Sequence, residues 1–398
     1  MSGESEKAVF EVPVGPQHPA LKEPILLLFK IEGDIIDDVM ARPAYTHRGI
    51  EKATEARNYI QNIYLCERVC GICSGIHTLV YTQGVERLAG VEPPPRAKYI
   101  RVIFLELERI HSHALWLGVA AHELGFDTLF YYVWRDRELV MDLLELVTGN
   151  RVNYAMSTVG GARRDISDEA AHQIKKGMEI FRRRLDVYTG VVEKDPTVRK
   201  RVVDVGKLSP HKAVELCAVG PTLRATGVKR DVRADDPYQA YDEIPFNVAT
   251  YPTGDVLAQI MVRVMEMYEA ANIIDYALDH MPKGPIRTKV PWNIAPNEVI
   301  SRGEAPRGEL FYYFKSNGTE KPERVKIRTP TLANLPAVCE MLKGYHIAEI
   351  PIVFASIDPC LSCTGRFAFI DERHDRSWVW TGEQLRAYRR RYYKWQNR

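Results

Sequence analysis

ERVCGICSGIH, residues 67–77, carries two cysteines in C-x-x-C spacing, and DPCLSCTGR, residues 358–366, repeats that spacing near the other end of the chain. In a tight loop or the first turn of a helix, this spacing lets both sulfurs converge on one ion. Thiolates there select soft or borderline metals. Cys70, Cys73, Cys360 and Cys363 form a four-sulfur set only if the fold returns its end to its beginning. A structural zinc site with four cysteine ligands is the commonest use of such an inventory and stays open on the residues alone. Zinc ribbons, however, place their pairs about 15–20 residues apart, whereas here most of the chain lies between them. A thioredoxin-like redox pair needs only one C-x-x-C in a βαβ setting. A site stitched from both ends of a large helical body reads best as an active-site metal centre.

The sequence on either side supplies that body. PILLLFKIEGDIIDDVMA (24–41) reads as two short strands around a Glu32-Gly33-Asp34 turn. From Ala97 to Gly125, Ile100, Ile103, Phe104, Leu107, Ile110, Ala114, Leu117 and Ala121 recur at three and four, one helix face. RDRELVMDLLELVTG predicts a second helix stopping at Gly149. A third begins near Ser167, with Asp168 and Glu169 in its dipole-favoured first turn. Val256, Ile260, Val264, Met267, Ala271 and Ile274 mark a fourth, started by TGD. ELFYYFKSNGTEKPERVKIRTP (309–330) alternates aromatic and polar residues around Asn317-Gly318, a β-hairpin pattern. The fold class is therefore α+β: a central bundle of long helices flanked by N-terminal and C-terminal β-hairpin regions. The expected segments are β-rich 8–45, a helical core 50–285, β-rich 300–357 and a ligand segment 358–366, all in one domain spanning 1–366.

Composition narrows the class of partner. Lys and Arg number 54 against 52 Asp and Glu, so no charge imbalance calls for nucleic acid. No signal-peptide run opens the sequence and no uninterrupted apolar stretch is long enough to span a bilayer. The seven cysteines, an odd number without a secretion signal, suggest reduced thiols. Cys66, Cys217 and Cys339 have no motif around them and read as small packing residues. His111 and His113, two apart on the 97–125 helix, face different ways and read as packing or hydrogen-bonding groups.

RVCGICSGIH and DPCLSCTGR resemble the paired nickel-ligand motifs of [NiFe] hydrogenase large subunits. GPQHPALKEP, RGIEKATEARNY, VGGARRDI and APRGELFYYF resemble the branch shared with the 49-kDa subunit of respiratory complex I. Together, from about Val14 to Arg366, the chain is similar to the catalytic large subunits of group 4, membrane-bound, energy-converting [NiFe] hydrogenases. The resemblance implies that Cys70, Cys73, Cys360 and Cys363 bind nickel. It also implies that Cys73 and Cys363 bridge to an iron carrying CO and CN ligands. Arg307 would lie over the open coordination face, where a permanently charged planar donor suits, and Asp358 would support it. On the residues alone these two also read as a surface ion-pair arginine and a turn-forming Asp-Pro.

Glu23 matches the glutamate that passes protons to the terminal cysteine; alone, it reads as a surface residue. Glu51 matches a carboxylate that binds magnesium, although Arg366 stands where the family has a histidine. His77, four past Cys73, would donate a hydrogen bond near that pair. The implied activity is reversible reduction of protons to H2, ferredoxin-linked. Electrons would come from iron–sulfur clusters in a small subunit, and the complex would be docked to ion-translocating subunits on the cytoplasmic side of the membrane. The alternatives are a complex I-like subunit acting on quinone or another acceptor, and a zinc-held scaffold.

Residues 367–398 hold eight Lys or Arg and four Asp or Glu. The resemblance implies a C-terminal extension that a maturation protease removes after Arg366 once nickel is inserted, although Gly365 departs from the acidic residue expected there. A basic amphipathic helix that stays and docks a partner or membrane surface is the other reading.

Overall fold

The computed structural model describes residues 9–365, 369–371, 376–378 and 382–396. An antiparallel sheet of Val9–Val14, Leu26–Glu32 and Ile35–Arg42, in sequence order, opens the chain. Gly33 turns the second strand into the third at φ 67°, a left-handed conformation that glycine adopts without Cβ strain. Leu27, Phe29 and Ile31 alternate inward, while Lys30 faces out. The first strand, with Val9 and Phe10 exposed, carries no such alternation, and falls within the expected β-rich segment 8–45.

Helices then build the centre. Asn58 and Gln61 form a capping box that starts Tyr59–Glu67. Ser74–Ala89 follows and is buried nearly end to end. Pro95–Glu123, Asp127–Thr148, Asp168–Lys194 and Val256–His280 complete the bundle. Their boundaries have local causes: Pro95 in a first turn, Gly149 in left-handed conformation, and the side chains of Ser167 and Asp255 accepting from the amides of Ala170 and Ala258. The second long helix begins at Asp127, ahead of the RDREL stretch; its first two turns expose Tyr131 and Tyr132 and so offer the sequence pattern no clean apolar face.

A second antiparallel sheet, Glu298–Ala305, Gly308–Ser316 and Pro322–Arg328, closes over the Ser74–Ala89 helix. Leu310, Tyr312 and Phe314 of its central strand are fully buried. Contrary to the β-rich expectation for 300–357, strand structure stops at Arg328. Helices Pro330–Leu342 and Ile350–Ser356 follow. Leu335, Val338, Met341 and Leu342 lie at helical spacing, and each helix has a proline in its first turn, where no amide donor is needed.

One apolar cluster runs through both sheets and the bundle, from Ile25 to Leu361. Among the described residues no helix is long and apolar enough to cross a membrane. In the tail, Phe369–Asp371 pairs antiparallel with Arg376–Trp378, and Gly382–Gln396 is helical. The cleavage position at Arg366 lies outside the described residues.

Candidate metal centre

Cys70 leaves the loop after Tyr59–Glu67, and Cys73 is the N-cap of Ser74–Ala89. At the other end, Asp358 takes a left-handed φ of 55° after Ile350–Ser356. That reversal feeds a 3-10 turn, Leu361–Cys363, which presents Cys360 and Cys363. The fold thus joins the two ends of the sequence. Cys70 Sγ lies 3.4 Å from Cys360 Sγ, and Cys360 Sγ lies 3.0 Å from Cys363 Sγ. The sulfurs of Cys70, Cys360 and Cys363 all lie within 4.8 Å of one another. Ions bound by thiolates at about 2.3 Å draw sulfurs to within about 4.6 Å of each other, so this donor set suits a shared metal. The Cys73 sulfur is outside that mutual group, but its amide donates to Cys70 Sγ at 3.3 Å.

The electrostatics single out one thiol. Hydrogen bonds from Cys360, Cys363 and Cys73 hold the Cys70 thiol well below its usual pKa, against the opposing effect of burial. The other three thiols are raised: Cys73 and Cys363 chiefly by hydrogen bonding within the cluster, and Cys360, against the opposing bond with Cys363, by its bond to Cys70 and by burial. The four thiols thus compete for protons as one coupled group.

Arg307 faces this charge from the turn between Glu298–Ala305 and Gly308–Ser316. It is buried. Its Nε donates to Asp358 O at 2.7 Å, its Nη2 to Asp358 Oδ1 at 2.8 Å and its Nη1 to Ser112 Oγ at 3.3 Å. Burial works against the guanidinium charge, but Asp358 and the thiols outweigh it and hold the pKa above the ordinary value. Burial pushes the Asp358 carboxyl up, with Arg307 opposing.

Glu23 accepts from the amides of Leu361 and Ser362, the second at 3.0 Å, and from the Ser362 hydroxyl. The carboxylate caps the C-terminal cysteine turn and also lines an open cavity of about 410 Å3 formed by residues between Pro16 and Pro24. Glu51 is not brought among the sulfurs. Its carboxylate accepts from the Ile327 amide at 2.8 Å and from Arg324 at 3.3 Å, tying a short helix to a strand. His77 bonds to the Tyr312 hydroxyl at 2.8 Å, His113 to Glu266 at 2.8 Å, and His111 accepts from Arg137 at 2.9 Å. Cys66 is fully buried, with its thiol pushed up by burial.

Three groups around the centre escape the sequence reading. Arg48 donates to the carbonyls of Arg68, Val69 and Ser362, so one guanidinium clamps both cysteine loops. Thr329 donates to Cys363 O at 3.0 Å. Glu108 accepts from the amides of Gly75 and Ile76 at 2.5 and 2.9 Å, fixing the helix start behind Cys73. Burial pushes this carboxyl up to about 8. Arg48 opens the RGIEKATEARNY motif and Glu108 lies in LELERI, but neither stretch reveals these bonds, because each partner is a backbone group remote in sequence.

Comparison with known proteins adds relatives to this geometry. Residues 123–297 and 290–366 match the model of the respiratory-chain NADH dehydrogenase 49-kDa subunit, and residues 48–119 match that of nickel-dependent hydrogenase. The chain is 41% identical to the membrane-bound hydrogenase subunit alpha of Pyrococcus furiosus over 91% of its own length and 88% of that protein's. It is 38% identical to formate hydrogenlyase subunit 5 of Escherichia coli over 95% of its own length, spanning 66% of that longer protein. It is also 38% identical to a subunit of the NADH-quinone oxidoreductase of Dehalococcoides mccartyi, over 88% of its length and 96% of the relative's. Among solved structures, a chain of the membrane-bound sulfane sulfur reductase, an archaeal respiratory membrane complex, superposes with a TM-score of 0.86 at 32% identity, covering 91% of this chain and 99% of that one.

Proposed function

The chain belongs to the family that unites the 49-kDa subunit of respiratory NADH dehydrogenase with the membrane-bound hydrogenases, and from that premise we propose that it is the catalytic subunit of a membrane-associated [NiFe] hydrogenase. In this reading it reduces protons to H2 reversibly, with electrons from an iron–sulfur partner subunit. The observation that carries the reading is the convergence of the Cys70 sulfur, from one C-x-x-C, with those of Cys360 and Cys363, from the other at the opposite end of the chain. Nickel and iron held by Cys70, Cys73, Cys360 and Cys363 would supply a redox-active site for splitting or forming H2.

The chain's own residues do the rest. Cys70, whose thiol its cysteine neighbours hold below the usual pKa, would meet a cation as a thiolate. Arg307, fixed at three points, keeps a permanent positive charge beside the sulfurs. Glu23 stands between the cysteine turn and an open cavity, so its carboxylate can take a proton from solvent and carry it to the Ser362 side of the turn. Glu51, held by Arg324 and the Ile327 amide, is placed to brace the fold; magnesium there would have to compete with both.

The second reading is a complex I-like subunit reducing quinone or a sulfur compound. The long match to the 49-kDa model and the likeness to a sulfane sulfur reductase chain favour it. Elemental analysis of the purified complex separates the two. The hydrogenase reading expects nickel and iron, with infrared bands of carbonyl and cyanide on iron. Stoichiometric zinc, or no metal at the cysteines, would sink it.

A further inference from the structure

Beside the metal centre, and touching none of its cysteines, lies a buried charge cluster that the proposed chemistry leaves unused. Arg224 donates to Glu266 Oε1 at 2.7 Å and to Glu304 Oε1 at 2.8 Å. Arg233 grips Asp231 at two points, 3.0 and 2.7 Å, and reaches Glu106 at 3.0 Å. Arg109 binds Glu106 at 3.0 Å and the Glu304 carbonyl at 2.7 Å. All seven side chains are at most 2% exposed. Three arginines thus face four carboxylates, one negative charge too many for a dry interior.

The candidates to hold the balancing proton can be sorted by their partners. Glu106 accepts from two arginines and from Tyr241 OH at 2.5 Å, and Asp231 holds a two-point arginine. Glu266 accepts twice from Arg224 and faces His113. Glu304 has one arginine bond on Oε1, and among the described residues Oε2 takes only the long 3.2 Å bond from the Val232 amide.

The other charges around Glu304 do not change this count. Asp231 lies against the same Arg224 nitrogen at 3.5 Å. Glu309, directly across the strand pair, is held by Arg302 and Arg328. The Ser74–Ala89 helix offers Ile76 and Val80 to the adjoining Gly303, with no charge among them. Tyr238 OH takes the Glu304 amide at 3.0 Å. Arg263 stacks 4.1 Å over Trp116, and its charge is felt first by Asp358, which it shares with Arg307.

We propose that Glu304 is a buried proton-holding site. Its carboxylate takes up and gives back one solvent proton at Oε2 while the rest of the cluster stays ionised, and this changes how firmly the neighbouring turn holds Arg307. Strand position makes the link: Glu304 and Ala305 end the strand, Arg307 follows in the turn, and Arg109 ties that stretch to the cluster through the Glu304 carbonyl. Burial and the Asp231 charge push the Glu304 carboxyl up to about 7, whereas burial pushes His113 down to about 4 and leaves it neutral there.

The test is infrared difference spectroscopy on the assembled complex, stepped across neutral pH in H2O and in D2O. The parent should gain a carboxylic C=O band on acidification that moves down in D2O. Glu304→Gln should lose the band, and Glu304→Asp should keep it at a shifted position and midpoint. Absence of a titrating C=O band in the parent, or its persistence in Glu304→Gln, overturns the proposal. If the glutamine variant does not assemble, an unmoved band in Glu304→Asp does the same. The link to Arg307 rests on the hydrogenase reading and is scored separately: the bands of the iron's diatomic ligands should shift with the same midpoint in the parent and stay fixed in Glu304→Gln. Failure of the metal reading removes those bands but leaves the carboxyl band to decide the proton site.

Discussion

Replacing Glu23 by glutamine alters one oxygen, and its geometry says what that atom does. The carboxylate accepts at both oxygens from Leu361, Ser362 and the Ser362 hydroxyl, so an amide NH2 must turn one donor against another. A charge-assisted bond lost at a half-buried cap costs about 1–3 kcal/mol. Glu23→Gln should therefore lower the melting temperature of the complex by a few degrees and also abolish most H2/D2O exchange. Parent-like exchange at full nickel content would remove Glu23 from proton transfer; parent-like melting would remove it from the cap. Glu23 and Arg307 were legible in the sequence because short motifs surround them. Arg48 also opens a motif, RGIEKATEARNY, yet its clamp was not legible, since the carbonyls of Arg68, Val69 and Ser362 that it binds lie outside that motif. Glu51 also lies in a motif, and its carboxylate accepts from Arg324 and the Ile327 amide.

At the scale of elements, the decisive contact is the Ser74–Ala89 helix against the second sheet, which sets Cys73 relative to Arg307. A Cβ on Gly84 would stand 2.1 Å from Phe314 Cε2, and Phe314 is fully buried on the central strand with no room to withdraw. Overpacking of this kind costs about 1–3 kcal/mol, more than the roughly 1 kcal/mol that alanine gains over glycine within a helix. A Cβ on Gly190, in Asp168–Lys194, would meet nothing within 4 Å among the described residues. Gly84→Ala should thus lower the melting temperature while Gly190→Ala raises it, and the same sign for both would refute the close approach. Helix ends at Gly149, Ser167 and Asp255 and the Gly33 turn were readable because their causes are local. The 300–357 segment was misread past Arg328 because the preceding strand alternation hid helical spacing in PTLANLPAVCEML.

At the scale of the molecule, opposed shifts in buried acids fix a pH window. Arginine partners hold Glu106, Glu266 and Asp231 below their ordinary range despite burial, so the stability they confer is present above the unfolded values near 4 and is lost as pH falls. Glu304 and Glu108, raised to about 7 and about 8, contribute stability below their unfolded value of 4.5 and lose it as pH rises through those points. Melting temperature should therefore peak at about pH 4.5 and fall on both sides, the alkaline loss being complete by about pH 8; a continuous rise from pH 5 to pH 8 would contradict the burial of these two carboxyls. The tail belongs to the same scale, because it concerns how a closed centre is filled. Cys360 is buried and Cys363 is bonded through its carbonyl to Thr329, so the segment that bears them sits inside the fold and leaves a metal little route in once it has docked. An extension that delays this docking until loading, then is cut away, gives order to the two events. The described part of the tail is a short strand pair and a helix on which Arg386, Arg389, Arg390 and Arg391 are exposed. With eight basic and four acidic residues, it also reverses the sign of the chain's formal +2 when removed. We expect the active subunit to end at Arg366 and nickel-starved cells to accumulate the longer form. Intact-mass measurement on active enzyme decides the matter: a mass reaching Arg398 would show that the tail stays, and would turn its arginines into a docking surface instead.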